Sequence, residues 1–286
     1  MKSLFRPEHI WIVAILGILV VGTLSGWDIT ALKTAVAPIL PASVLHPSKP
    51  GTQIIDNGSP AAQFYNYVEV TESCGPYFDG ECVNVRSGPG EEYPSVLHVR
   101  KGMVLKVAGV VHGETRDWYK IAQDSEVRYP ERIASEWYVA RDMVALFSDD
   151  GDHMLTTSTA TTTKHIEVDK SEQMLYAYEG DMLFMSAPIS TGLEFTPTPR
   201  GTFTIYKMTP SRYMQGPLPG VSDQYYDLPG VPWNLYFTKD GAVIHGAYWH
   251  DHFGNQWSHG CINLSPENAK KLYAWADIGT TVLVRN

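Results

Sequence analysis

The sequence predicts a mainly β chain of two modules with a single convincing helix, and three observations carry that reading. Short runs of β-branched and aromatic residues alternate with Gly, Pro, Asn and Asp turns from about residue 67 onward. A threonine-rich stretch, Thr156 to Thr163, divides those runs into two groups. Only Ser265-Pro266-Glu267-Asn268 reads as a helix start, with serine as N-cap, proline at the first helical position, and Leu272, Tyr273, Trp275 and Ala276 as an apolar face.

Taken in order, residues 1–27 place Lys2 and Arg6 ahead of the uncharged run from Ile10 to Gly22, the positive-then-apolar order of an export signal. The run is short for a span of about 20 residues, and Ala35-Val36-Ala37 offers a cleavage site well downstream. The segment is therefore a retained membrane anchor or a cleaved leader, with the anchor favoured. Residues 28–66 are a stalk containing Pro38, Pro41, Pro47, Pro50 and Pro60. Residues 67–148 carry strand-like runs at Val68–Val70, Val83–Val85, Met103–Val107, Trp118–Ile121 and Trp137–Val139, which read as a small β-barrel. Residues 149–163 form the Thr-rich linker. Residues 164–286 hold further strands at Ile166–Val168, Met174–Tyr178, Met182–Met185, Gly201–Tyr206 and Ala242–His245, then the helix.

The chain has 286 residues and a globular composition, 44% hydrophobic and 19% charged, so it can bury a sizeable core. Its 22 Lys and Arg against 31 Asp and Glu give a formal charge of -9, which argues against nucleic acid as a partner. Oligomeric state is left open.

Three cysteines narrow the chemistry. Cys74 and Cys82 enclose a turn-rich loop able to bring two thiols together, and an exported chain keeps such a disulfide oxidised. That leaves Cys261 unpaired in Ser258-His259-Gly260-Cys261-Ile262-Asn263, downstream of Ile244-His245-Gly246. A thiol with a pKa near 8.5 needs an imidazole, a cation or aimed backbone N–H groups to act as a nucleophile at neutral pH. His245 at a strand end is the preferred base over His259. Gly260 allows close approach, so its N–H and that of Cys261 are expected to converge on an oxyanion. His250-Asp251-His252 raises zinc as the rival chemistry, but one cysteine and histidines clustered on one loop match no standard zinc spacing. No metal or cofactor is expected.

Together with Ser190-Thr191-Gly192 and Thr196-Pro197-Thr198-Pro199-Arg200-Gly201-Thr202-Phe203, the His-Gly and Ser-His-Gly-Cys motifs resemble the L,D-transpeptidase catalytic domain over about residues 164–286. The resemblance implies a β-sandwich whose cysteine attacks a peptidoglycan stem tetrapeptide after its third residue, releases the terminal D-alanine and passes the acyl group to an amine. Water in place of the amine makes the same site an L,D-carboxypeptidase, and a silent site makes the chain a wall-binding protein. Carried over by position, Cys261 is the nucleophile and His245 the base, while Ser258, His259 and Gly260 shape the turn. Many members have arginine where this chain has Asn263, which either offers its amide to the substrate or organises the loop. Val83-Asn84-Val85-Arg86-Ser87-Gly88-Pro89-Gly90 with the later Trp118-Tyr119 resembles a bacterial SH3-like domain. These likenesses imply an extracytoplasmic protein facing the cell wall.

Met208 to Trp233 is rich in proline and aromatics and is expected to be a long loop that covers Cys261 or caps the sheet. As a cover it brings Tyr225, Tyr226, Trp233 and Tyr236 to the substrate. Gly246 and Trp249 complete the candidate substrate-binding set.

Overall fold

The computed structural model describes residues 64–72, 83–124, 126–154, 162–220 and 222–286. The apolar N-terminal segment, most of the stalk, the Cys74 and Cys82 pair and most of the Thr-rich stretch lie outside the described residues. Among the described residues no helix is long and apolar enough to cross a membrane.

Seven strands form the first sheet: β1 (Tyr65–Glu69), β2 (Val83–Arg86), β3 (Ser95–Val99), β4 (Val104–His112), β5 (Asp117–Ile121), β6 (Trp137–Ala140) and β7 (Ala145–Asp149). Their order is β3-β2-β6-β5-β4-β1-β7, with neighbours antiparallel. The two strands not anticipated, β3 and β7, are the two edges. They are largely exposed, so they lack the buried apolar alternation that makes a strand visible in sequence.

The remaining strands are β8 (His153–Met154), β9 (Lys164–Asp169), β10 (Met174–Glu179), β11 (Met182–Pro188), β12 (Gly201–Thr204), β13 (Lys207–Leu218), β14 (Ser222–Tyr236), β15 (Val243–Gly246), β16 (Ile262–Leu264) and β17 (Thr281–Arg285), with helix α1 (Pro266–Trp275) before β17. They make two five-stranded sheets, β11-β10-β9-β17-β12 and β16-β15-β14-β13-β8. Ile166, Val168 and Leu175 of one sheet share a core with Leu235, Ile244 and Ile262 of the other and with Leu272 of α1, all fully buried. This is the mainly β sandwich expected. Ser265 caps α1, its hydroxyl accepting from Asn268 N–H at 3.3 Å.

The segment after Met208 is not a loop. It is the long antiparallel hairpin of β13 and β14, whose ladder shifts register between Arg212 and Met214 and between Gly216 and Leu218. Such irregularities let a strand hold Pro217, which has no N–H to give to a ladder. Sequence patterning favoured a loop because proline is normally excluded from strand interiors.

The hairpin also joins the modules. Tyr213, Val231 and Tyr248 pack in one buried cluster with Val68, Met103, Leu105 and Trp137. From the first module, Tyr129 Oη donates to Pro217 O at 2.8 Å, Tyr129 N–H to Gln215 Oε1 at 2.7 Å, and Arg132 to Gly216 O at 2.7 Å. Tyr213 N–H donates to Asp124 at 3.0 Å in return. Asp124, Tyr129 and Arg132 therefore grip the hairpin along its outer half.

Candidate active site

β15 and β16 run parallel, with Ile244 opposite Ile262 and His245 opposite Asn263. Side chains alternate across a sheet. The two isoleucines enter the sandwich core, so His245 and Asn263 share the other face. Cys261, two positions before Asn263, falls on that same face. The period of two thus turns Cys261 and His245 toward one cavity although sixteen positions separate them.

His245 is fully buried. Its Nδ1 lies 3.0 Å from Gly246 O. A carbonyl only accepts, so Nδ1 carries the proton and Nε2 keeps its lone pair. That Nε2 has no partner among the described residues. Burial pushes the imidazole pKa down to about 3, more than its hydrogen bond to Gly246 restores. Burial thus favours the neutral imidazole, with its proton on Nδ1.

Cys261 is unpaired and partly exposed, yet its sulfur sits deep enough that desolvation raises its pKa above the ordinary thiol value. The Arg212 charge and the Val243 backbone N–H oppose that rise. Cys261 Sγ lies 3.8 Å from Gly241 O.

The preceding turn is fixed from several sides. Ser258 Oγ donates to Cys261 O at 2.6 Å and accepts from Gly260 N–H at 3.1 Å. The Gly260 N–H expected at the oxyanion is thus engaged within the turn. Gly260 has φ +112°, a conformation that side chains rarely adopt. Thr198 Oγ1 accepts from Gly192 N–H at 2.9 Å and donates to Cys261 O at 3.3 Å. Gln173 clamps Thr191 through its amide, and Thr191 O accepts from Ser258 N–H at 3.0 Å.

A cavity of about 970 Å³ opens over this face, lined by Cys261, His245, Ser258, His259, Gly260, Asn263, Trp249 and Tyr226. His259 stacks on Tyr226 with ring centroids 5.9 Å apart. Four other candidates do not line it. Trp233 is buried between Phe147 and Tyr273 in the core. Tyr236 packs on Tyr206, and Tyr225 is 65% exposed beneath Arg132. Gly246 is covered by Pro232 and Pro266, leaving its carbonyl as the group that orients His245.

His250 lies under the cavity floor. Its Nδ1 accepts from His252 N–H at 3.2 Å, and its Nε2 lies 2.9 Å from the Asn263 amide, so both ring nitrogens are engaged. Burial lowers its pKa to about 4. Asn263 is itself buried, which fits organisation of the site more than an open substrate contact.

Arg212 was not anticipated. It enters the cavity from β13 and supplies a cation near Cys261 that the chain lacks two positions after the cysteine. Nothing in its sequence neighbourhood signals this, since only strand pairing brings β13 alongside. Thr198 did carry a signal, through the Thr-Pro-Thr-Pro motif.

The β-sandwich that sets His245 and the unpaired Cys261 on one sheet face lies in the part of the chain that matches a known family. Residues 163–284 match the family model described as the L,D-transpeptidase catalytic domain. A Bacillus licheniformis protein provisionally named L,D-transpeptidase YkuD is 28% identical over 127 residues, spanning 43% of this chain and 67% of that one. Among solved structures, an L,D-transpeptidase from Mycobacterium smegmatis is 23% identical, covering 64% of this chain and 99% of that chain with a TM-score of 0.42. The catalytic domain of the E. faecium L,D-transpeptidase is 27% identical, covering 44% and 99% with a TM-score of 0.38.

Proposed function

We propose that the protein is an extracytoplasmic peptidoglycan L,D-transpeptidase that forms a thioester at Cys261. The observation that carries this reading is the Nδ1 contact of His245 with Gly246 O, which leaves a buried, unpartnered Nε2 on the face that bears the thiol. As the sulfur attacks the carbonyl after the third residue of a donor stem tetrapeptide, the thiol proton passes to His245 Nε2. The depressed pKa of His245 and the raised one of Cys261 disfavour a standing ion pair, so proton transfer accompanies attack. The oxyanion forms beside the Cys261 N–H, the donor of the expected pair that Ser258 does not engage. Collapse breaks the C–N bond, and the imidazolium returns its proton to the departing D-alanine amine. An acceptor amine then attacks the thioester, His245 takes its proton, and the thiol is regenerated.

The chain is organised in this reading as an anchor at 1–27, a stalk at 28–66, an SH3-like module at 67–148, a linker at 149–163 and the catalytic domain at 164–286. The first sheet, running from Tyr65 to Asp149, nearly coincides with the module at 67–148, which supports that division. Intact-protein mass spectrometry after incubation with a tetrapeptide muropeptide tests the function. An adduct with loss of D-alanine is expected on the wild type and none on Cys261→Ala. A folded wild type that gains no mass sinks the proposal, and product masses with and without an acceptor amine separate transfer from hydrolysis.

A further inference from the structure

The cavity holds a cation that no carboxylate among the described residues neutralises. Arg212, on β13, lines it beside Cys261, and among the described residues no carboxylate pairs with its guanidinium, whose neighbour is the Tyr236 ring at 5.4 Å. It shares the cavity wall with Cys261, His245 and Tyr226, and its charge acts on all three. A second arginine, Arg128, lines the same cavity from the first module, and its charge is also felt at Tyr226. The acids on the wall do not cancel this pair: Glu126 faces Lys207 at 3.8 Å, and Asp240 sits on the exposed turn before β15. In a chain with a formal charge of -9, two guanidiniums without a carboxylate partner among the described residues, lining one cavity with Cys261, are a local reversal of sign.

We infer that Arg212, assisted by Arg128, forms a carboxylate-binding subsite that holds the acyl donor next to Cys261. A planar guanidinium matches a carboxylate with two parallel N–H donors, and such charge-assisted bonds are about twice as strong as neutral ones. Two carboxylates of a stem peptide fit this chemistry: the C-terminal one on the leaving D-alanine, or a side-chain one on the third residue. The subsite takes over the substrate-binding role left vacant by Asn263. Because Arg128 comes from residues 124–132, the first module contributes directly to donor binding. The inference rests on the transpeptidase reading for its donor.

The test measures donor binding by calorimetry on Cys261→Ala and acylation by mass spectrometry on the enzyme with its cysteine intact. Three tetrapeptides are compared: unmodified, amidated at the C-terminus, and amidated on the third-residue side chain. Arg212→Gln is expected to weaken binding of the unmodified donor about ten- to hundred-fold, while the donor amidated at the recognised carboxylate loses no more than about two-fold. Arg212→Lys should fall between. The ratio between donors within one variant is independent of how much protein is folded. Equal loss on all three donors, or no discrimination among them by the Arg212-containing protein, overturns the subsite. Discrimination without any thioester overturns the transpeptidase reading and leaves the subsite standing.

Discussion

Lowering the pH from 7 to 4 is expected to remove about 6 kcal/mol of stability through two buried histidines alone. Burial depresses His245 to about 3 and His250 to about 4 from an ordinary 6.5. The unfolded chain therefore takes up protons that the folded chain refuses. This contribution is intact above pH 6.5 and is lost as the pH falls through the window toward 4 and 3. At pH 4 the unfolded imidazoles are 2.5 units below their pKa, and at 1.36 kcal/mol per unit each site costs about 3 kcal/mol. Urea denaturation of the wild type and His250→Gln at pH 7 and pH 4 isolates one site. Taking the difference between the two pH values in each protein, then between proteins, cancels both the cost of the substitution at pH 7 and the titration of unrelated carboxylates. The variant should lose about 3 kcal/mol less than the wild type. Agreement of the two pH-induced losses to within about 1 kcal/mol would refute the argument that His250 is held neutral by burial.

Other substitutions test the supports of the site. Ser258→Ala removes the bond to Cys261 O and strands the Gly260 N–H, at a cost of about 2–3 kcal/mol; a melting temperature lower by about 4–12 °C should accompany slower acylation. Gly246→Ala places a methyl 2.8 Å from Pro232 Cγ and 3.1 Å from Pro266 Cα, and overpacking there should cost about 1–3 kcal/mol by urea denaturation.

Much of this arrangement was legible in the sequence because it rests on local signals. Ser265-Pro266 marks a helix start on its own chemistry, and the alternation around Val83-Asn84-Val85 marks a strand. The ordered His-Gly and Ser-His-Gly-Cys motifs single out Cys261 and His245 as candidates through family resemblance, without any geometry. What escaped depends on pairing at a distance. Trp233 looked like a binding aromatic because aromatics near proline often line loops, yet its place in β14 turns it into the core between Phe147 and Tyr273. Arg212 carries no local signal and becomes a cavity cation only when β13 pairs with β14. His250 was weighed as a metal ligand, and its buried contact with Asn263 emerges from the loop's return across the β16 strand.

The shared packing of Tyr213, Val231 and Tyr248 with the first sheet changes what counts as the heritable unit of this protein. A catalytic fragment cut at residue 163 would carry these side chains, together with the outer half of the β13–β14 hairpin, into water. Expression of that fragment should yield a sticky, poorly behaved polypeptide. Exchange of the first module for another domain requires the newcomer to reproduce both the apolar imprint of Val68, Met103, Leu105 and Trp137 and the hydrogen-bonding edge at Tyr129 and Arg132. Recombination during evolution would therefore shuffle the pair together, as one cassette, more readily than either half.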